Sequence, residues 1–289
     1  MIKVYDRKTG EFYEEDEHGK ESLETLYETV YGRILLKMFF AGRVYSKLVA
    51  VSEKSAFSSR KIDGFIEKYN ISMDEYENRV FRSFDEFFTR KKKKEFLKVD
   101  EAPKALIAPC DGKLQYFKID DALRLKVKGS MYNLPELLED DKIVDRYRGG
   151  ICLVYRLSVD DYHRYCHIDN GKPIMSRFIK GKLHTVRPIA KRYNVFKENQ
   201  REYVVLNTEN MGEIIYMEVG AIQIGKINNH KLRKFKKGQE KGYFSYGAST
   251  IVIFLQDGHV KLNDDVLEMS RKNIECKVRY GERVGDIII

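Results

Sequence analysis

The most constraining feature of the chain is a series of short apolar stretches that follows Pro103 and continues towards the C-terminus. They are rich in β-branched and aromatic residues and are bounded by Gly, Asn or Asp, a pattern typical of strands separated by turns. In this half of the chain, a helical pattern is confined to LPELLED, near Leu134. We therefore predict a β-rich domain over residues 101–289. Its strand-like stretches are ALIAP, KLQYFKI, LRLKVKG, GICLVYRLSV, EYVVLNT, EIIYMEVGAIQIGKI, STIVIFLQ and ECKVRY.

The first 100 residues have a different pattern. Residues 1–20 suggest a short strand or extended arm, and from about Glu21 to Val51 apolar residues recur every three to four positions, which predicts a long amphipathic helix. The second half of this helix, ILLKMFFAGRVYSKLV, interleaves bulky apolar and basic residues. That composition suits a helix in a membrane interface or an ordinary helix packed on its own core. The predicted fold class is α+β, with a helical, membrane-associating region over residues 1–100 preceding the β-rich domain.

A run of five basic residues, Arg90 followed by Lys91–Lys94, comes directly after an aromatic segment. Such a run is either a solvated linker or a tract attracted to an anionic membrane leaflet. In the second interpretation the ILLKMFF helix and the Lys91–Lys94 tract form the apolar and electrostatic halves of one membrane anchor.

The chain carries a net positive charge, since 53 Lys and Arg outnumber 44 Asp and Glu to give +9. This excess favours anionic partners such as phospholipid headgroups, phosphates or nucleic acid. Nucleic-acid binding is not predicted, because no zinc finger, RNA-recognition signature or basic helix with interleaved aromatics stands out. The apolar fraction of 43% excludes a disordered chain.

The termini and cysteines bear on the location of the protein. The polar, mixed-charge start predicts no signal peptide, and no apolar run is long enough to span a bilayer. The four isolated cysteines form no C-x-x-C pair, which argues against a disulfide framework or a cysteine-rich zinc site. We expect an intracellular protein whose membrane contact is peripheral.

Three stretches contain candidate chemistry. In DDYHRYCHIDNG, His163 and His167 flank Cys166, and their spacing would allow a metal pair on a helix, but the preceding residues form a predicted strand and we predict no metal site. In YGAST, Ser249 is either part of a turn entering a core strand or a nucleophile directed at the preceding carbonyl. In PCDG, Asp111 is either a turn residue or the partner that orients a histidine.

Taken together, these stretches resemble the phosphatidylserine decarboxylase family in its Gram-positive, clostridial-like form. The resemblance covers nearly the whole chain, in the order typical of the family. It is carried by SFDEFFTRKKKKEF, LIAPCDGKLQYF, KGSMYNLPELL, RLSVDDYHRYCHIDNG, LHTVRPIAKRYNVFKENQREYVVL, MEVGAIQIGKI and KKGQEKGYFSYGASTIVIF.

The resemblance implies a proenzyme that cuts itself once, between Ala248 and Ser249, into a β chain of residues 1–248 and an α chain of residues 249–289. Ser249 would become a covalent pyruvoyl cofactor for the decarboxylation of phosphatidylserine to phosphatidylethanolamine, at the cytoplasmic face of the cell membrane. The family uses an Asp–His–Ser set for self-cleavage, in which Asp111 matches the aspartate. A homodimer is compatible with this assignment.

Three residues depart from the pattern of the family, and one of them is Arg187 in LHTVRP, where an asparagine is usual. Its histidine motif is Y-H-R-x-H, whose first histidine matches His163, but Cys166 occupies the position of the second, the charge-relay base, and His167 follows it. Ala248 stands where glycine is common, and its methyl group crowds the attacked carbonyl. Whether Cys166 or His167 takes the base role is open at this stage. The alternative function is an uncleaved, catalytically impaired homologue that acts as a lipid-binding or regulatory protein.

Overall fold

The computed structural model describes residues 2–15, 51–127, 130–181, 199–220, 226–246 and 249–288. Within these ranges the chain is mostly β-sheet. The strands are β1 (Ile2–Asp6), β2 (Glu11–Glu15), β3 (Ala105–Ile107), β4 (Gly112–Lys118), β5 (Arg124–Val127), β6 (Ser130–Asn133), β7 (Ile151–Leu157), β8 (Arg164–Cys166), β9 (Gly171–Ile179), β10 (Arg201–Thr208), β11 (Glu213–Gly220), β12 (Ile227–Asn229), β13 (Glu240–Phe244), β14 (Ser249–Leu255), β15 (Val260–Leu262), β16 (Glu275–Val278) and β17 (Arg283–Ile287). The helices are α1 (Ile62–Tyr69), α2 (Phe84–Phe88), α3 (Leu134–Leu138) and α4 (Asp264–Arg271), and short 3₁₀ helices lie at Ala56–Lys61, Met73–Glu75, Lys94–Phe96 and Asp145–Tyr147.

A nine-stranded sheet forms the centre of the molecule, with the strand order β2-β1-β16-β4-β7-β14-β11-β10-β9. Its pairs are antiparallel apart from β1 and β16, which run parallel. Smaller sheets have the orders β12-β13-β8, β15-β17-β3 and β5-β6. The predicted β-rich domain is therefore confirmed.

The central strands are apolar along their whole length because both faces of the sheet are covered. Leu153 and Ile251 face a core that also contains Phe244 of β13 and Val284 of β17. On the opposite face, Val252 packs with residues of α3 and of the β5-β6 hairpin. Burial on both faces replaces the alternating polar pattern of a half-exposed strand with a continuous apolar run.

The first 100 residues divide between sheet and helix. The predicted strand near the N-terminus is confirmed as β1, and β1 joins the central sheet through its pairing with β16. α1 and α2 pack through an aromatic cluster that contains Phe65, Phe84 and Phe87. Ser83 caps α2 by accepting a hydrogen bond from the Glu86 amide at 3.3 Å. The long amphipathic helix predicted over residues 21–51 falls almost entirely outside the described residues.

Two helices lie in the β-rich half of the chain. α3 confirms the prediction from LPELLED, whereas α4 was not predicted. The sequence of α4, DDVLEMSR, is mostly polar, and only Val266 and Met269 are buried, so its apolar face is too narrow to mark a helix clearly.

Candidate active site

Ser249 is the first residue of β14, a strand whose seven residues are all buried. It pairs with Leu157 of β7 on one side and with Gly220 of β11 on the other. Because side chains alternate along a strand, Ser249 shares a face of the sheet with Ile251. Ser249 therefore begins a core strand. Ala248, the other predicted cleavage-site residue, lies outside the described residues.

Asp111 lies at the same end of the central sheet as Ser249. It immediately precedes β4, and Lys113 of β4 pairs with Arg156, which in turn pairs with Thr250. Since adjacent strands are about 4.8 Å apart, β4 runs about 10 Å from β14. Gly112 permits this close packing, because a Cβ there would lie 2.9 Å from the Arg156 carbonyl oxygen. The structure therefore brings Asp111 and Ser249 to the same end of the central sheet.

The Asp111 carboxylate is held by a cation and a backbone amide. Its Oδ2 lies 2.9 Å from Lys92 Nζ, and its Oδ1 accepts a hydrogen bond from the Tyr280 amide at 2.8 Å. Burial disfavours the charged form of Lys92, but the negative charge of Asp111 prevails and raises the pKa of the ammonium group above its usual value. Asp111 is thus paired with Lys92 rather than with a histidine in the uncut chain.

His163 lies next to two chain segments that lead to Ser249. Its ring centroid is 4.1 Å from that of Phe88, and Phe88 also packs against Tyr246, three residues before Ser249. Its carbonyl accepts a hydrogen bond from the Phe244 amide at 3.0 Å. Of the predicted histidines, His163 is therefore the one that contacts the chain entering β14.

The geometry of His163 fixes its protonation state. Nδ1 lies 2.9 Å from the Asp161 carbonyl oxygen, so Nδ1 carries the proton and its N–H donates a hydrogen bond to that oxygen. Nε2 is buried and has no hydrogen-bond partner within the described part of the chain. The pKa of His163 is lowered to about 4, mainly by burial; Asp161 opposes this shift, and the charges of Arg90 and Lys113 contribute to it. The neutral ring thus presents an unprotonated Nε2, the form that a general base requires.

The turn after β7 holds His163 in place. Asp161 Oδ2 accepts hydrogen bonds from the Ser158 amide at 2.6 Å and from Lys113 Nζ at 2.8 Å. Both Lys113 and Asp161 are buried, and Lys113 belongs to β4. This ion pair links the turn to β4, the strand that follows Asp111, at the end of the sheet where Ser249 begins β14.

Cys166 lies beside the segment that leads to Asp111. Its amide donates to the Pro109 carbonyl at 2.8 Å, and its carbonyl accepts from the Tyr216 hydroxyl at 3.2 Å. Tyr280 links the two residues, because its amide donates to Asp111 and its side chain hydrogen-bonds to Cys166. Burial raises the pKa of the Cys166 thiol to about 12, although a hydrogen bond from Tyr280 opposes this effect. Cys166 is therefore a neutral thiol at pH 7.

His167 is directed into a different environment from His163. Its ring stacks on Phe235 at a centroid distance of 3.7 Å, and its amide donates to the Gln239 carbonyl at 2.9 Å. Neither ring nitrogen has a hydrogen-bond partner among the residues described. Burial lowers the pKa of His167 to about 3, and the nearby Lys241 charge contributes to this shift. His167 thus contacts the loop before β13 rather than the segment that enters β14.

The basic run after α2 is neither a solvated linker nor a continuous membrane-facing tract. Arg90 is only 1% exposed, and its guanidinium lies over the rings of Tyr76 and Phe87 at 4.5 and 4.6 Å. Lys92 is occupied by Asp111, and Lys93 donates to the Asp74 carbonyl at 2.8 Å. The sequence-based interpretation is wrong for Arg90 and Lys92, because a one-dimensional charge run cannot identify which cations meet partners from distant segments.

Arg90 is unusual because it is buried without a counter-charge. Its Nη1 and Nη2 donate to the Phe87 carbonyl and the Tyr76 hydroxyl at 3.3 and 3.4 Å, while Nε has no partner in the described ranges. Within those ranges no carboxylate pairs with it. Its charge therefore acts on its surroundings, including His163.

Sequence reasoning also missed a buried ion pair on the same face as Ser249. Glu218 pairs with Ile251 in the β11–β14 ladder, so it is a diagonal neighbour of Ser249. Its carboxylate accepts hydrogen bonds from Lys241 and, at 3.3 Å, from the Asn229 side chain. The signal available in the sequence was one acidic residue inside the apolar run IIYMEVG.

Two further properties concern the described residues alone. Within them no group of three or more His, Cys, Asp or Glu side chains is placed to hold a metal ion. None of their helices combines the length and apolar character that crossing a bilayer requires.

Comparisons with known proteins identify the family of the chain. A profile described as phosphatidylserine decarboxylase matches residues 84–286. The chain is 46% identical over 286 residues to "Phosphatidylserine decarboxylase proenzyme 2" of Clostridium acetobutylicum, covering 99% of this chain and 98% of that protein. It is 39% identical over 295 residues to the phosphatidylserine decarboxylase proenzyme of Ruminiclostridium cellulolyticum, covering 100% and 98% of the two chains. For the proenzyme of Clostridium botulinum strain Alaska E43, identity is 38% over 296 residues and coverage is complete in both.

Proposed function

Because the chain belongs to the phosphatidylserine decarboxylase family, we propose that it is a proenzyme that cuts itself before Ser249 and then converts phosphatidylserine to phosphatidylethanolamine. The names of its relatives support both the substrate and the processing. The observation that carries the proposal is the position of Ser249 at the start of a buried strand. Asp111 and the turn that contains His163 lie at the same end of the central sheet.

In the proposed self-cleavage, the Ser249 hydroxyl adds to the carbonyl carbon of Ala248. The C–N bond breaks, an ester forms, and the freed amine remains on residue 249. Loss of the Cα proton then expels the carboxylate of Ala248 and leaves a dehydroalanine. Water hydrolyses this group with release of ammonia, and residue 249 becomes a pyruvoyl group. When formed, the pyruvoyl group supplies a ketone that acts as an electron sink for an amine-bearing substrate.

The residues around Ser249 fit such a terminus. A cut before Ser249 leaves the new end at the first ladder position of β14, where Leu157 and Gly220 hold the backbone from both sides. Glu218 and Lys241 place paired charges on the same face, two ladder positions away. The new terminus is thus fixed in a water-poor environment, in which electrostatic interactions are stronger than in water.

We propose that His163 is the base that takes the Ser249 proton. Its support is the unprotonated Nε2, which has no hydrogen-bond partner among the described residues, and the contact of its ring with Phe88, which also packs on Tyr246. The neutral thiol of Cys166 lacks the lone-pair basicity of an imidazole. His167 and Cys166 remain predicted site residues that the same experiment tests.

Asp111 is proposed to act electrostatically on the cleavage reaction, together with Lys92, from the end of the sheet where Ser249 lies. Its carboxylate accepts from Lys92 and from the Tyr280 amide, and this fixes its position. A fixed pair of charges at the same end of the sheet as the reacting atoms costs little reorganisation as charge develops.

We also propose a peripheral location on the cytoplasmic face of the cell membrane. The substrate is a bilayer lipid, and the amphipathic ILLKMFF segment provides an apolar surface of the kind that interfacial helices use.

Intact-mass analysis of the purified protein tests the proposal. The wild type is expected to give two chains, with the smaller one covering residues 249–289 and beginning in a blocked end. Ser249→Ala is expected to give a single uncut chain, whereas Ser245→Ala, a buried serine nearby, is expected to cut normally. A wild-type protein that stays intact at 34.0 kDa contradicts the proposal and favours the uncleaved lipid-binding homologue.

Variants at the three candidate base positions complete the test. His163→Ala should stop cutting, while Cys166→Ser and His167→Ala should leave it measurable. If His167→Ala stops cutting and His163→Ala does not, the base is His167.

A further inference from the structure

A network of buried charges lies on the face of the central sheet opposite to the Ser249 side chain. Its centre is Arg156 of β7, which pairs with Thr250 of β14, and side chains alternate between the two faces along a strand. The buried guanidinium contacts two carboxylates, since Nη2 lies 2.5 Å from Glu275 Oε2 and 2.6 Å from Glu15 Oε2. Arg156 therefore connects β7 with β16 and with the N-terminal hairpin of β1 and β2.

The network continues from Glu15 into the turn that contains His163. Glu15 Oε1 accepts a hydrogen bond from the Ser158 hydroxyl, and the oxygen of that hydroxyl accepts one from Arg156 Nη1 at 2.9 Å. The Ser158 amide donates to Asp161 Oδ2, and the Asp161 carbonyl accepts from His163 Nδ1. A continuous series of hydrogen bonds thus runs from the N-terminal hairpin to the ring of the proposed base.

Two cations hold the Glu15 carboxylate in this network. Besides Arg156, Lys113 Nζ lies 4.0 Å from Glu15 Oε1 and 2.8 Å from Asp161 Oδ2, so it links the hairpin to the same turn a second time. Burial disfavours the charged form of Glu15, but Lys113 and Arg156 prevail and lower the pKa of its carboxyl to about 2. Glu15 is therefore a carboxylate at neutral pH, with both of its oxygens engaged.

The turn matters because it selects the tautomer of His163. Which ring nitrogen of a neutral histidine carries the proton is set by the hydrogen bond that the ring makes. The Asp161 carbonyl selects the Nδ1–H form, and the orientation of this carbonyl depends on the bonds between Asp161 and Ser158, at 2.6 and 3.0 Å. In the other tautomer Nε2 carries the proton and cannot accept one from a serine.

We propose that Glu15 is a positioning residue for self-cleavage, which acts through Ser158 and Asp161 to hold His163 in the tautomer that can accept the Ser249 proton. The N-terminal hairpin is then required for a reaction near the other end of the chain. The proposal rests on the proposed function, because it presupposes cleavage before Ser249.

A charge-neutralising variant with a matched control tests the effect on rate. Glu15→Gln keeps the length of the side chain and an oxygen that can accept from Ser158, but it cannot pair with Arg156 or Lys113. Full-length chains are made by cell-free translation, and the small chain is followed by mass spectrometry. Because slight misplacement of a catalytic group is costly, Glu15→Gln should slow cutting by about tenfold to a hundredfold. Glu14→Gln, the same change at an exposed neighbour, should slow it less than about twofold.

Two further measurements separate positioning from a general effect on folding. Imidazole ¹⁵N spectra of the uncut Ser249→Ala protein, assigned with His163→Gln, should show the Nδ1–H tautomer at His163. Adding Glu15→Gln should populate the Nε2–H form, whereas adding Glu14→Gln should not. Ser158→Ala should slow cutting as Glu15→Gln does, and the double variant should be no slower than either single variant, because both residues act through one path.

Equal cutting rates in Glu15→Gln and Glu14→Gln would overturn the proposal. So would slow cutting of Glu15→Gln with the tautomer of His163 unchanged, since the variant would then act on stability alone. A wild-type chain that never cuts refutes the proposed function itself, whereas a wild type that cuts no faster than Glu15→Gln refutes only the role of Glu15.

Discussion

Lysine side chains have opposite environments at the two ends of the central sheet. At the Ser249 end the cations are buried and paired, as Lys92 is with Asp111 and Lys113 with Asp161. At the opposite end, in a surface cleft lined by the start of β9 and the end of β10, lysines such as Lys172 and Lys234 are exposed and have no acidic partner in the described chain. Paired interior charges hold geometry, whereas unpaired surface charges remain available to a partner. Lysine is therefore abundant at both ends, but it belongs to the buried structure only at the Ser249 end.

The largest effect is expected from His163, which distinguishes the catalytic end most directly. Removing a general base typically costs about 10² to 10⁴ in rate, so His163→Gln should slow self-cleavage by that factor. His167→Gln should slow it less than about tenfold, because that ring contacts Phe235 instead. The measurement is a time course of the small chain by mass spectrometry, and equal slowing in both variants would erase the distinction.

A pH dependence of stability should come from the same histidine. The pKa of His163 is lowered to about 4 by burial, so the unfolded chain binds more protons than the folded chain between about pH 4 and 6.5. The stabilisation is complete above that window and is lost as the pH falls through it. Uncut Ser249→Ala protein should lose about 2 to 3 kcal/mol between pH 7 and 4.5 from this residue.

Urea denaturation at the two pH values measures this loss. Adding His163→Gln should flatten the dependence by that amount. A slope that His163→Gln leaves unchanged would place the titrating group elsewhere.

The ion pair between Lys92 and Asp111 gives the next effect. Lys92→Met leaves a mostly buried carboxylate without its cation, and the free energy of unfolding should fall by about 2 kcal/mol. Lys91→Met, at an exposed neighbouring position, should change it by less than about 0.5 kcal/mol. Urea denaturation in the Ser249→Ala background measures both. Combining Lys92→Met with Asp111→Asn should restore part of the loss; no recovery would mean that packing of Lys92, not its charge, matters.

The smallest effect is expected at the cleft end. Lys172→Gln removes an exposed cation that has no acidic partner among the described residues, so stability should change by less than about 0.5 kcal/mol and self-cleavage should be unaffected. Thermal unfolding and intact mass check the two expectations. A clear destabilisation would mean that this end depends on its charges as the other end does.

The strands could be predicted from the sequence more reliably than the side-chain contacts of the charged and histidine residues. Strand periodicity is local, so β14 and its first residue Ser249 could be predicted from STIVIFL alone. The environment of Arg90 depends on Tyr76, and that of Lys92 on Asp111, and neither contact is visible in a run of five cations. The different surroundings of His163 and His167 likewise depend on how β8 pairs with β13, which only the fold determines.

One consequence of the sheet topology concerns the fate of the cut protein. Residues 249–289 contribute β14 between β7 and β11, and β16 between β1 and β4. After cleavage the smaller polypeptide would be threaded through two interior positions of a sheet otherwise made by the larger one. The two pieces could separate only if the hydrogen bonds on both flanks of each strand were broken. The two chains produced by cleavage should therefore stay associated, and co-purify, until the protein is denatured.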